Sequence, residues 1–161
     1  MVKWLKLTQN QYFGFFALGL LLFALQQSPY IIMHFIQMES NILMEMQNKS
    51  SFLNVIEKIL GVSCVILMLF LVRADVDRRM FKTLQAKIYF GIAMMAIVVY
   101  FIGWVFYFRG FNDLLFMLTT LVAMPPIYYA FIGLWRRNYV LTVVSSLFLI
   151  AHILNVWNNL K

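Results

Sequence analysis

Two histidines, one glutamate and several amide side chains lie inside long apolar runs of this chain, at His34, His152, Glu57 and their neighbours. Imidazole, carboxylate and amide groups together can bind a small molecule, exchange a proton or coordinate a metal ion. Each such group costs free energy if it stays unsatisfied in hydrocarbon. Their presence in apolar segments therefore indicates a polar interior or a binding site.

The polar residues recur every three or four positions in three separate segments. This spacing places them on one face of a helix, because an α-helix turns once every 3.6 residues. The first face holds Gln27, Tyr30, His34 and Gln37, the second holds Asn54, Glu57, Gly61 and Cys64, and the third holds Ser145, His152 and Asn155.

Glu57 is the most informative of these residues, because a carboxylate inside a membrane must be neutralised, paired, hydrated or bound to a cation. Lys58 follows it directly in the sequence and so points to a different face of the helix. His34, His152 and Gln37 are the remaining candidate partners. The sequence therefore predicts one shared ligand site, formed by Gln26, Gln27, Tyr30, His34, Gln37, Asn54, Glu57, His152 and Asn155.

Three interpretations of this site remain open from the sequence. It is a hydrogen-bond network between helices, a site for a small molecule or ion, or a metal or haem site with His34, His152 and Glu57 as candidate ligands. No local pair of the HxxxH or ExxH type supports a metal, and the sequence does not identify a cofactor. The single cysteine, Cys64, excludes an internal disulfide and a cage of several cysteines.

The composition indicates the elements that must position these residues. Of 161 residues, 63% are hydrophobic and 12% are charged, about half the charged fraction of a soluble domain. Apolar runs of about 20 residues, enough to cross a membrane, recur along nearly the whole chain. We therefore expect an all-α integral membrane protein with one domain over residues 1–161, a bundle of five transmembrane helices at 12–36, 52–72, 88–108, 113–135 and 139–157.

The distribution of basic residues predicts the orientation of this bundle. With the N-terminus inside, nine basic residues fall on the inner side: Lys3, Lys6, Arg73, Arg78, Arg79, Lys82, Lys87, Arg136 and Arg137. Four fall on the outer side: Lys49, Lys58, Arg109 and Lys161. The positive-inside rule then favours a cytoplasmic N-terminus, a C-terminus outside and a location in the plasma membrane.

Proline residues predict irregularities in two of the spans. Pro125 and Pro126 are adjacent in the middle of the fourth span, where they remove two backbone donors. We expect them to interrupt this helix and to form a kink, a hinge or part of a substrate path. Pro29 is expected to kink the first span.

The function that these residues favour is binding or transport of a small molecule or ion through a polar site in the outer half of the bundle. A non-catalytic accessory subunit is the alternative, because a polar helix face can also meet a partner membrane protein. A metal- or haem-binding membrane protein is the third possibility. The sequence lacks phosphate-binding glycine loops, GxSxG and HExxH, which argues against an enzyme.

The expected partners are the lipid bilayer, a small molecule or ion, and a second membrane protein. The formal net charge of +7 does not indicate nucleic acid, because the basic residues stand in short clusters between apolar runs.

Overall fold

The computed structural model describes residues 2–36, 50–73 and 81–160, and most of these residues are helical. The elements in chain order are β1 (Val2–Lys6), β2 (Gln11–Phe15), α1 (Ala17–Met33), α2 (Ser51–Phe70), β3 (Leu71–Arg73), α3 (Leu84–Phe108), α4 (Leu114–Met117), a π-helical segment (Leu118–Val122), α5 (Met124–Trp135) and α6 (Tyr139–Leu160).

Four helical stretches are long and apolar enough to cross a membrane: Ser51–Phe70, Leu84–Phe108, Leu114–Trp135 and Tyr139–Leu160. Their outward faces carry many exposed Leu, Ile and Val side chains, which suits a lipid surrounding. The expected count of five spans is not confirmed, because α1 has only 17 residues. The first predicted span was therefore too long at its N-terminal end.

A three-stranded antiparallel sheet occupies the region where that span was expected to begin, so the described part is not purely helical. Its strand order is β1-β2-β3, with Tyr12 opposite both Lys6 and Val72. Aromatic and β-branched residues favour strands, and Thr8 forms the turn by accepting a hydrogen bond from the Gln11 N–H at 3.2 Å. The sheet joins the start of α1 to the end of α2.

The C-terminal end of α2 is capped by groups from distant parts of the chain. Arg136 is 1% exposed and donates through its guanidinium to the carbonyls of Met68 and Leu71, while its guanidinium carbon lies 3.8 Å from the centre of the Phe16 ring. The Phe16 N–H donates to Leu69 O at 2.9 Å. A buried cation here satisfies carbonyls that the helix leaves open and complements the negative end of its dipole.

The turn between α5 and α6 places Arg136 at this position. The Asn138 N–H donates to Gly133 O at 2.8 Å and the Arg137 N–H to Leu134 O at 3.0 Å, which is the Schellman pattern of a helix end. Arg137 takes the left-handed position with φ 54°. Asn138 then accepts from the Leu141 N–H at 3.1 Å to cap α6 and donates to Leu67 O at 3.0 Å, so one residue ties three helices together.

The fourth apolar stretch has a π-helical segment before its prolines, whereas the interruption was expected at Pro125 and Pro126 themselves. Residues 118–122 are π-helical, and the Ala123 N–H donates to Leu118 O at 2.9 Å, five residues back. Pro125 and Pro126 then lie in the first turn of α5, where their missing N–H groups are tolerated. The Thr120 hydroxyl donates to Phe116 O at 2.7 Å and so satisfies a carbonyl where the helix widens.

The π-helical segment packs closely on α3 at Gly103. A Cβ built on Gly103 would lie 2.5 Å from the Thr120 Oγ1 and 2.7 Å from its Cβ, whereas one built on Gly91 meets nothing within 4 Å. Trp104, Tyr100 and Tyr107 on the same helix are buried. The bundle thus has a dense aromatic core beside a glycine contact, as small residues allow helices to approach.

Gly103→Ala should lower the melting temperature of the detergent-purified protein, because the new methyl group overlaps the β-branched Thr120, which cannot move without its backbone. Gly91→Ala in the same helix is the matched control and should be neutral or stabilising by about 0.5–1 kcal/mol, the usual advantage of alanine in a helix. Equal effects of the two changes would contradict the close contact.

Arg136→Met should reduce the stability of the folded protein by about 1.5–3 kcal/mol, the scale of hydrogen bonds made by a charged group. The exposed Arg109 at the end of α3 gives the control, because Arg109→Met removes the same charge from another helix C-terminus. Thermal unfolding of both variants measures the difference, and an Arg136→Met protein as stable as the control would exclude the capping role.

Candidate functional site

Glu57 on α2 meets two polar side chains of α6. His152 Nδ1 lies 2.7 Å from Glu57 Oε1, and the Asn155 amide donates to Glu57 Oε2. His152 and Asn155 are three residues apart and therefore share a helical face. Each carboxylate oxygen thus has one partner from α6.

Further contacts fix the orientation of these partners. The His152 ring stacks on Phe148, one turn earlier, with 5.0 Å between ring centres. Asn159 donates to Asn155 Oδ1 at 3.4 Å. The Glu57 and His152 side chains remain 17% and 14% exposed, so the pair is neither sealed in the core nor open to the surface.

A second polar group comes from α1 and α5. Gln26 is 2% exposed, and its Oε1 accepts from the Tyr129 hydroxyl at 2.7 Å and from the Gln27 amide at 2.9 Å. Its own amide lies 3.5 Å from the Tyr100 hydroxyl. The Tyr128 hydroxyl donates to Leu22 O at 3.1 Å, which also ties α5 to α1.

A cavity of about 390 Å³ separates the two polar groups. It is bounded by α1, α2, α5 and α6, and its lining residues are Phe23, Gln26, Gln27, Tyr30, Glu57, Lys58, Gly61, Val62, Val65, Pro125, Tyr129, Phe148 and His152. Its volume falls within the range of small-molecule pockets. The arrangement combines an apolar wall with a few fixed polar groups.

The structure brings most of the candidate residues together. Gln26, Gln27, Tyr30, Glu57 and His152 line the same cavity, with Asn155 hydrogen-bonded to Glu57.

The polar faces of α2 and α6 also pack on each other between the Glu57 site and the α5–α6 turn. Cys64 Sγ lies 3.4 Å from Ser145 Oγ, and a Cβ on Gly61 would lie 3.3 Å from the Phe148 ring. Part of the pattern is therefore a helix-to-helix network.

His34 is not assembled with the others. It follows the last residue of α1, is exposed, and its Nδ1 lies 2.7 Å from Tyr30 O of its own helix. The structure thus places His34 just past the last residue of α1, Met33, and apart from the contact between Glu57 and His152.

The metal hypothesis relied on His34, His152 and Glu57 as ligands, and His34 lies apart from the other two. Over residues 2–36, 50–73 and 81–160, no three His, Cys, Asp or Glu residues are grouped closely enough to hold a metal ion.

The remaining candidates have separate positions. Asn54 is half-buried on α2 and is not among the described residues that line the cavity. Gln37 lies outside the described residues. Pro29 is buried inside α1, and of the two α5 prolines only Pro125 lines the cavity among the described residues.

The sequence reasoning missed the aromatic walls. Phe148 and Tyr129 were not among the expected site residues, although Phe148 is four residues before His152 and Tyr129 four residues after Pro125. That spacing puts each pair on one helical face. Aromatic residues are common in every apolar span of this chain, so type alone did not distinguish them.

The chain matches no protein-family model, no curated protein and no solved structure. The class that the fold and site define is a helical membrane protein with a carboxylate-containing cavity between its helices. That carboxylate can accept hydrogen bonds from a ligand or hold a cation, and the neighbouring imidazole can exchange a proton.

Proposed function

We propose that this chain is a five-span membrane protein that binds or transports a small molecule or ion through the cavity between α1, α2, α5 and α6. The observation that supports this proposal is the position of Glu57 on the wall of a cavity of about 390 Å³. A carboxylate used only for packing would be expected to be enclosed by its partners. Here it borders a space large enough for a ligand.

The fifth crossing in this proposal is α1. Its 17 residues span about 26 Å at 1.5 Å per residue, which is near the lower limit for a membrane of about 30 Å. Ala17 closely follows β2, and β3 of the same sheet directly follows the end of α2. If α2 crosses the membrane, α1 must therefore start on the side where α2 finishes.

The orientation in this proposal has the sheet and the α5–α6 turn in the cytoplasm. The sheet and this turn together carry five basic residues, Lys3, Lys6, Arg73, Arg136 and Arg137, in agreement with the positive-inside rule. The cavity residues Glu57 and His152 then lie toward the outer half. The plasma membrane remains the expected location.

Cysteine labelling can test whether α1 crosses. In a Cys64→Ser background, Gln9→Cys before α1 and Ser51→Cys after it are both exposed positions. A membrane-impermeant maleimide should label Ser51→Cys in intact cells and Gln9→Cys only after permeabilisation. Labelling of both from the same side would leave α1 outside the set of crossing helices.

Glu57→Gln should abolish ligand-induced stabilisation while changing the melting temperature of the empty protein little. Glutamine keeps an acceptor for Asn155 or His152, so the loss without ligand should be about 1 kcal/mol. Bound ligand stabilises the wild type by about 2.7 kcal/mol at 100 times its Kd. Thermal unfolding with a panel of small anions, cations and neutral compounds measures both effects.

Asp113→Asn is the matched control for this experiment. It removes the same charge from an exposed helix cap, where Asp113 accepts from the Phe116 N–H at 2.8 Å, and an asparagine oxygen preserves that cap. Compounds that stabilise the wild type should stabilise Asp113→Asn equally. If compounds still stabilise Glu57→Gln, this cavity is excluded as their binding site. If no compound in the panel stabilises the wild type, the accessory-subunit alternative is favoured.

A further inference from the structure

We infer that the ligand of this cavity is an organic cation, with an ammonium group that binds Glu57 and an apolar body that fills the remaining space. This inference rests on the proposed binding function and names the ligand class. The carboxylate is the only acidic group among the described lining residues. It is therefore the group that would bind a cation, and the basic Lys58 on the same wall has to be considered beside it.

The partners of Glu57 leave acceptor capacity for a ligand. A carboxylate has about four acceptor positions, and two are used, by His152 at Oε1 and by Asn155 at Oε2. Both partners come from α6, whereas the cavity extends from Glu57 toward α1 and α5. An ammonium group with two or three N–H donors can occupy the remaining positions.

The other polar wall does not offer a strong site for an anion. Gln26 Oε1 already accepts from Tyr129 and Gln27, and the Gln27 amide is used in that contact. These amide and hydroxyl groups are already hydrogen-bonded to each other and carry no positive charge, whereas strong anion sites use charged donors such as arginine or lysine. This wall therefore orients a ligand rather than supplying a counter-charge.

The aromatic residues of the cavity favour a cation further. Phe23, Tyr30, Tyr129 and Phe148 contribute to the wall, and the faces of aromatic rings attract ammonium groups within about 6 Å. Tyr30 is held edge-on against Trp104 at 5.0 Å between ring centres. These rings also provide the apolar surface that a hydrocarbon or aromatic body would contact.

Lys58 does not provide the permanent counter-charge of this site. It also borders the cavity, but it is exposed, and the residue next to Glu57 leaves a helix about 100° away. A long lysine side chain at this depth can reach the headgroup region. A metal ion is a poorer occupant, because the described residues contain no group of three acidic, histidine or cysteine ligands.

Binding of three compounds of matched shape tests the charge preference. Isothermal titration calorimetry of the detergent-purified protein compares 2-phenylethylammonium, neutral 2-phenylethanol and anionic phenylacetate. The cation should bind about 10- to 100-fold more tightly than the alcohol, the scale of charge-assisted hydrogen bonding. Glu57→Gln should remove this preference, and Asp113→Asn should retain it.

A second measurement separates failure of the ligand class from failure of the binding function. Val65 lines the cavity, so Val65→Cys in the Cys64→Ser background should react with neutral methyl methanethiosulfonate. One outcome is that the thiol reacts but the cation does not bind more tightly than the alcohol or phenylacetate, or that none of the three compounds binds. The cation class is then wrong, although the cavity is accessible. If the thiol is inert and none binds, the binding function fails too.

The ammonium group can belong to a soluble amine or to a lipid headgroup, and membrane composition distinguishes the two sources. The titration is repeated in nanodiscs of phosphatidylglycerol mixed with an equal amount of phosphatidylcholine, and then in nanodiscs in which phosphatidylethanolamine replaces the phosphatidylcholine. Both membranes then have the same anionic fraction, and only the second has headgroups with ammonium N–H donors. Weaker amine binding in the second membrane identifies the ethanolamine headgroup as a competitor. Unchanged binding identifies a soluble amine as the ligand, and both results retain the cation class.

Discussion

The contact on which this structure depends is the insertion of Arg136 between the end of α2 and the Phe16 ring. A helix that ends inside protein leaves carbonyl groups without partners, and each costs free energy when buried. Arg136, Asn138 and the Phe16 N–H together satisfy the carbonyls of residues 67–69 and 71. One end of α2 is thus held by both the start of α1 and the α5–α6 turn.

This contact also determines the register of the cavity. Asn138 starts α6 beside Leu67 of α2, and the two helices then run antiparallel past the contact between Cys64 and Ser145. Seven residues beyond that contact along each helix, or about 10 Å, Glu57 lies opposite His152. The polar site at one end of the helix pair is therefore aligned by the cap at the other.

The sequence predicted the features that arise from periodicity within one helix. The apolar runs, the polar faces of α2 and α6 and the irregularity near Pro125 all follow from spacing or from missing donors. It did not predict the sheet at residues 2–15, because an aromatic segment of this kind is equally typical of the start of an apolar span. From the sequence, Arg136 indicated only the membrane orientation, because the carbonyl groups that it binds lie about 65 residues away along the chain. Spacing alone grouped His34 with Glu57 and His152, whereas His34 is exposed just past the end of α1.

The π-helical segment has a consequence for the angular position of the residues before it. A π-helical turn contains one residue more than an α-helical turn, so it rotates the preceding residues by about 100° relative to α5. Without that additional residue, Thr120 would leave the side of the helix that faces Gly103. The segment therefore changes the angular register of the helix. Pro125 and Tyr129 face the cavity, while Thr120, earlier in the same stretch, faces Gly103 of α3.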